Sequence, residues 1–391
     1  MKKALRIAAF AAALVLALTA GFAIGRMDFG QQTLMGDSAF DQRAQEIRQI
    51  LEQYFYKGVE AGTLEDGMLH GMADALGDPY TTYYNEEELE QYNEVTSETY
   101  GGIGVVISMD AETGYPKASR VYKNSPAEKA GMMAGDIFVA VDGERISSED
   151  TLTDLSNRMR GEIGTQVNVT VQRGGQEMEF TITRAQIQAE YVEYRMLDNE
   201  VGYILISEFS TKCDEEFEAA VAQLQSQGMK RLVLDVRSNP GGYVDQAVNI
   251  ADMLLPEGVV VSLRDKDGKT QDYTSDADQL GIPMVVLVNE YSASASEILV
   301  GALKDYGVAT VVGMKTYGKG IVQMMFPLSA GGALDVTIAS YYTPNGTSIH
   351  GVGIAPDVEI QLSDDLLSGE TALTDATDNQ LQRAIEIVKS K

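Results

Sequence analysis

The apolar positions change their spacing along the chain, and each change marks a different kind of element. Ile7 to Ile24 runs without a charge behind Met1, Lys2, Lys3 and Arg6. From 40 to 55 the residues Ala44, Ile47, Ile50, Leu51, Tyr54 and Phe55 fall close to helical spacing, and Met68, Met72, Ala75 and Leu76 continue it until Asp78-Pro79 stops the pattern. At Tyr100 the pattern turns to Gly-Gly-Ile-Gly-Val-Val-Ile, a glycine turn running into a strand. Asn124 to Gly131 then predicts a short helix entered through Ser-Pro, and Ala134 to Gly143 a strand closed by an Asp-Gly turn. Val167 to Val171 and Glu177 to Ile182 predict two more strands.

Beyond Tyr191 the runs become longer and more continuously apolar. Val201 to Phe209 and Arg231 to Val236 read as buried strands, and between them 214 to 227 carries Phe217, Ala220, Val221 and Leu224 on one helical face. Pro240-Gly241-Gly242 makes a sharp turn before a helix over 243 to 255, and Met284 to Val288 is a further buried strand. Glu297 to Leu303 predicts the helix that follows it. Asp265 to Thr270 resembles a calcium loop only faintly, because its glycine comes too early, so it reads as the turn of a hairpin between 259–263 and 271–274.

Composition narrows the functions this architecture can serve. A formal charge of -28 argues against nucleic acid, which needs basic clusters to neutralise phosphate. Glu86, Glu87, Glu88 and Glu90 read as a solvated helix face rather than a cation site. The single cysteine, Cys213, excludes an intrachain disulfide and reads as a residue at a helix start. The positive start and apolar run of the first two dozen residues predict an export segment. With no clean Ala-x-Ala before Arg26 it reads as an uncleaved anchor, the alternative being a cleaved signal; either way the remainder faces outward.

Candidate chemistry concentrates in Ser-Ala-Ser-Ala-Ser-Glu, 292 to 297, and Tyr-Gly-Lys-Gly-Ile-Val-Gln, 317 to 323. With only two histidines, His70 and His350, and one cysteine, the usual hydrolase bases have few candidates, which points to a serine nucleophile with a lysine base. Alone, Ser292, Ser294 and Ser296 would read as helix caps. Lys319 changes that reading, since Gly318 and Gly320 let its stem pass through tight packing. Gln323, four residues on, shares its face and offers an amide to hold the amine.

Two resemblances follow from these motifs. Residues 101 to 184 resemble a PDZ domain of the bacterial type, in which backbone N–H groups of Gly102, Ile103, Gly104 and Val105 would bind a peptide C-terminus and Val105 to Ile107 would accept it as an added strand. From about Asp37 to Val358 the order of segments is similar to the carboxy-terminal processing peptidases, or tail-specific proteases: Asp-Val-Arg-Ser-Asn-Pro-Gly-Gly at 235, the serine cluster at 292, Thr-Tyr-Gly-Lys-Gly at 316 and Gly-Val-Gly-Ile-Ala-Pro-Asp at 351. That resemblance implies Ser294 as nucleophile, Lys319 as base and Gln323 as its positioning group. The implied oxyanion donors are Ala295 and either Gly241 or Gly242.

The implied fold is multidomain α/β: an anchor or signal over 1–25, a helical N-terminal region over 37–100 and the PDZ domain over 101–184. A mixed α/β peptidase core of the ClpP/crotonase kind follows over 185–362, then a helical tail over 363–391. The implied partners are C-terminal tails of exported or membrane proteins, with the chain at the outer face of the cytoplasmic membrane, or secreted or periplasmic if the signal is cleaved. No metal or organic cofactor is implied. The amphipathic blocks at 40–55 and 381–388 suit a homodimer or intrachain packing equally. Two rival readings remain: a noncatalytic, membrane-anchored PDZ scaffold with a degenerate core, and a small-ester hydrolase using His350.

Overall fold

The structure, a computed structural model, describes residues 38–60, 62–96, 99–110, 113–122, 124–147, 150–188, 191–367 and 373–391. The export segment therefore lies outside the described residues, and among those described no helix is long and apolar enough to cross a membrane. The chain divides into two compact units, 1–75 and 76–391. In the first, helices α1 (Ser38–Tyr54) and α2 (Thr63–Asp74) follow the periodicity read above, with Arg48 paired to Glu52 at 2.7 Å and to Glu65 at 2.5 Å.

The second unit opens with β1 (Thr82–Tyr84) and α3 (Glu86–Thr96), whose first-turn glutamates form the helix N-terminus expected of that acidic run. A small β domain follows: β2 (Thr99–Gly102), β3 (Val105–Met109), β4 (Pro116–Val121), α4 (Pro126–Ala130), β5 (Ile137–Val141), β6 (Glu144–Arg145), α5 (Leu152–Met159), β7 (Gln166–Arg173), β8 (Gln176–Thr183) and β9 (Ala185–Gln188). Its main sheet runs β3-β4-β5-β7-β8, so β3 is an edge strand, while β2 and β9 pair separately. Strand alternation builds the core: Val167, Val169 and Val171 all point inward onto Phe138 and Leu155.

The third region is the largest. Strands β10 (Val192–Met196), β11 (Val201–Ile206), β12 (Arg231–Asp235), β15 (Met284–Val288), β16 (Ala309–Gly313) and β19 (Val358–Glu359) form one sheet in that order. It is parallel except for β10. Its strands read as unbroken apolar runs because both faces are covered. Helices α6 (Cys213–Ser226), α7 (Val244–Leu254) and α8 (Ala295–Asp305) pack on one face, and Leu381, Ala384 and Val388 of the C-terminal helix cover the other. A second, antiparallel sheet runs β1-β18-β13-β14, from β13 (Gly258–Asp265), β14 (Thr270–Ser275) and β18 (Ala333–Tyr342), with β17 (Ile321–Pro327) also paired to β18. The β13–β14 turn is the hairpin expected at 265–270, closed by Asp265, whose Oδ1 accepts from the Asp267 and Lys269 N–H groups. After β19, the short α9 (Asp364–Leu367) precedes α10 (Asn379–Lys389), the C-terminal helix.

Candidate active site

The corner between β15 and α8 carries the three serines, and their surroundings separate them. Ser292 and Ser296 are fully buried and engaged: Ser292 Oγ donates to the Val236 carbonyl at 2.8 Å, and Ser296 Oγ to the Asn239 carbonyl at 3.0 Å. Ser294 between them is only half-buried. Its backbone has φ 54° and ψ −115°, a conformation that costs a non-glycine residue on the order of 1–3 kcal/mol and persists only where neighbours enforce it. The two buried hydroxyls anchor the corner on either side and provide that enforcement.

Glu297 provides the rest. Its carboxylate, with no solvent exposure, accepts from the Ser294 N–H at 3.0 Å, Thr316 Oγ1 at 2.5 Å, the Gly318 N–H at 2.7 Å and the Lys319 N–H at 2.8 Å. Burial pushes its carboxyl above the ordinary value, and these donors oppose that shift. One side chain thus ties the serine corner to the glycine-flanked lysine loop, which explains how residues 25 apart in order come together without being neighbours in either sheet.

The Pro-Gly-Gly turn at the end of β12 closes on the same corner. A Cβ added to Gly241 would lie 2.8 Å from Ser294 Cβ and 3.0 Å from the Ala295 nitrogen, and its φ of 112° is one that only glycine adopts freely. The Asn239 side chain shapes the turn, donating to the Ile206 carbonyl and accepting from the Gly241 N–H at 2.9 Å. Of the three expected oxyanion donors, Gly241 is thereby engaged. The Gly242 N–H makes no hydrogen bond among the described residues, and Ala295, first in α8, has no intrahelical acceptor. Upstream, the buried Asp235 pairs with the partly buried Arg237, which also pairs with Asp378 at the start of the C-terminal helix, and the Tyr203 hydroxyl donates to Asp235 at 2.7 Å.

The reactive side chains point elsewhere at rest. Ser294 faces the Tyr341 hydroxyl, a buried phenol pushed up to about 12 by burial. Lys319 Nζ lies 5.0 Å from the centroid of the Tyr80 ring. Gln323 donates to the Tyr80 carbonyl at 2.7 Å and to Asp335 Oδ2 at 2.8 Å. Among the described residues no hydrogen bond joins Ser294 to Lys319, or Lys319 to Gln323. The structure therefore brings the backbones of Ser294 and Lys319 together on Glu297 and leaves the side chains of all three on other partners. Tyr80, Asp335, Tyr341 and Asn239 were not singled out from the sequence. Only the Ser-x-x-Glu spacing signalled Glu297, and that spacing alone reads as a cap.

Residues 102–105 join β2 to β3. The Ile103 and Gly104 carbonyls accept from the Ala127 and Tyr122 N–H groups at 2.8 and 2.9 Å, which pins the loop against α4 and leaves Val105 at the start of the edge strand. Cys213 is buried and its thiol is pushed up to about 12 by burial, so it is an inert packing residue.

Known proteins match this arrangement over most of the chain. Residues 200–360 match peptidase family S41 and residues 117–173 match the PDZ domain family. A carboxy-terminal-processing protease of Bartonella bacilliformis is 37% identical over 312 residues, spanning 76% of this chain and 70% of the relative. A probable CtpA-like serine protease of Staphylococcus aureus is 35% identical over 351 residues, spanning 88% and 70%. Among solved structures, the photosystem II D1 C-terminal processing protease is 31% identical, with a TM-score of 0.53 over 85% of this chain and 92% of that one. The chain belongs to the carboxy-terminal-processing proteases of peptidase family S41, which are serine-type peptidases with a PDZ domain.

Proposed function

We propose that this peptidase works through a Ser294–Lys319 dyad and cleaves exported proteins near their C-termini after its PDZ domain has bound the tail. The observation that carries the reading is the Glu297 carboxylate, which takes the backbone N–H of both Ser294 and Lys319 beside a glycine turn in contact with Ser294. In this reading Ser294 Oγ attacks the scissile carbonyl while neutral Lys319 accepts the hydroxyl proton and passes it to the leaving amine. The resulting acyl ester is then hydrolysed by water. A free lysine titrates near ~10.4, so the amine form must be favoured by desolvation when substrate covers the site. The oxyanion falls to the Ala295 N–H and the Gly242 N–H, with Gly241 available once Asn239 releases it. Each such donor contributes on the order of 10²- to 10³-fold in serine hydrolases.

Tail capture is supported by the edge position of β3 beside the glycine loop, where an extended peptide adds as a further strand. The positive start and apolar run at residues 1–24 support an exported chain held at the outer face of the cytoplasmic membrane. The test compares a peptide ending in a free apolar carboxylate with its amidated twin, using the wild type, Ser294→Ala and Lys319→Ala. Cleavage of the free acid only, lost in both variants, is expected. Undiminished cleavage by either variant sinks the dyad, and equal cleavage of both peptides removes tail recognition.

A further inference from the structure

Tyr80 reaches the site from the far end of the sequence, delivered by a short run of hydrogen bonds and one strand pairing. Asp78 ends the helical pattern and accepts from the Tyr80 N–H at 3.2 Å and from Thr81 Oγ1 at 2.8 Å. Thr81 Oγ1 in turn accepts from the Thr337 N–H at 3.2 Å, and β1 then pairs antiparallel with β18, with Thr82 opposite Asp335. This register sets Tyr80 and Asp335 side by side over the segment that carries Lys319 and Gln323.

Two contacts follow. The Gln323 amide has two N–H donors, and these go to the Tyr80 carbonyl and to Asp335 Oδ2, so the remaining polar atom, Oε1, is the one left for a lysine. Lys319 Nζ has no hydrogen bond or ion pair among the described residues and rests over the Tyr80 ring instead. An aromatic face attracts an ammonium through its quadrupole and has no comparable attraction for a neutral amine. The ring therefore favours the form of Lys319 that cannot act as a base.

We propose that Tyr80 is a positioning residue of the peptidase: its ring holds Lys319 as an ammonium, and its carbonyl, together with Asp335, turns the Gln323 amide so that Oε1 awaits the lysine. The proposal rests on the dyad reading above. Other charged or titratable groups face this pair. Asp335 approaches from β18, Glu297 from α8, Tyr317 from the lysine's own loop, Asp78 from the preceding turn, and His350 lies against the Tyr80 ring at 6.2 Å. Asp335, Glu297 and Asp78 stay in place when only the ring at position 80 is varied, whereas Tyr317 and His350 approach that ring itself, which is why Tyr80→Phe, keeping the ring, is the reference for Tyr80→Leu.

The sign of the effect is fixed by the chemistry. Rate rises with pH as the ammonium gives up its proton, and a ring that stabilises the ammonium holds that rise at higher pH. Removing the ring moves the rise to lower pH. The test is the pH dependence of kcat/KM for the full chain in the wild type, Tyr80→Phe and Tyr80→Leu, with Ser294→Ala as the control. Tyr80→Phe is expected to overlay the wild-type acid limb, and Tyr80→Leu to shift it down by roughly half to one pH unit. Pentafluorophenylalanine at position 80 keeps the ring's shape while removing its negative face, and is expected to shift the limb as the leucine does. This keeps the proposal testable if the leucine variant folds poorly. An unshifted limb in both the leucine and fluorinated proteins, with Ser294→Ala inactive, overturns the role of Tyr80 and leaves the dyad standing. Cleavage that survives in Ser294→Ala overturns the dyad beneath it.

Discussion

Ser294 and Lys319 hang by their backbone N–H groups from the same Glu297 carboxylate, yet their side chains are held in different ways. On the serine side the backbone is forced into an unfavourable conformation, flanked by two fully buried hydroxyls and closed by a glycine turn that leaves no room for a Cβ. On the lysine side the stem passes between glycines, and the tip lies over the face of an aromatic ring with no hydrogen bond or ion pair among the described residues. The serine backbone is set in advance, at a cost in strain, whereas the lysine tip occupies a position that a modest change in surroundings can alter. Under the proposed dyad, a fixed serine and an adjustable lysine let the site be switched at the lysine without rebuilding the serine corner.

That contrast can be broken first at the serine. Ser294→Ala is expected to lower kcat by roughly 10⁴-fold or more, as loss of a nucleophile does in other serine peptidases, while Ser292→Ala and Ser296→Ala leave substantial activity and lower the melting temperature instead. Retention of activity in Ser294→Ala with its loss in either neighbour would reassign the nucleophile. Next comes the turn: Gly241→Ala drives a methyl group into Ser294 and is expected to cost about 10²- to 10³-fold in kcat with little change in KM, measured by steady-state kinetics. A loss confined to KM would mean that the turn serves binding alone.

The shared anchor comes third. Glu297→Gln sets an amide N–H₂ against donors that now face a carboxylate oxygen. It is expected to destabilise the fold by about 1–3 kcal/mol in denaturant unfolding and to lower activity as well. Unchanged stability would show that the carboxylate is not what joins the two halves. The smallest effect belongs to the adjustable side. Gln323→Ala is expected to reduce kcat about tenfold, because the lysine loses a positioning group and not its chemistry.

How much of this was legible beforehand depends on the range of the contacts involved. The central strands and helices of the core were readable because each is continuous and apolar: 231–236 against β12, 284–288 against β15 and 214–227 against α6. Ser294, Lys319 and Gln323 were singled out from short motifs with fixed spacing. The predicted strand from Val201 to Phe209 instead ends at Ile206, and Phe209 forms an isolated bridge to Gly242, because the chain there leaves the sheet to close the oxyanion turn. Tyr80 and Asp335 were not readable, since their place in the site exists only once β1 has paired with β18 across some 250 residues of chain. Tyr341 is hidden for the same reason: nothing in its own segment reveals that it faces Ser294.

The most direct measurement of the dyad is to trap the acyl-enzyme. The full chain is incubated with an activated ester or fluorophosphonate, digested, and the modified residue located by mass spectrometry, with the labelling rate followed in the wild type and Lys319→Ala. The dyad predicts an adduct on Ser294 alone, absent in Ser294→Ala and formed far more slowly in Lys319→Ala. An adduct on another residue, or a labelling rate unchanged without Lys319, would contradict it.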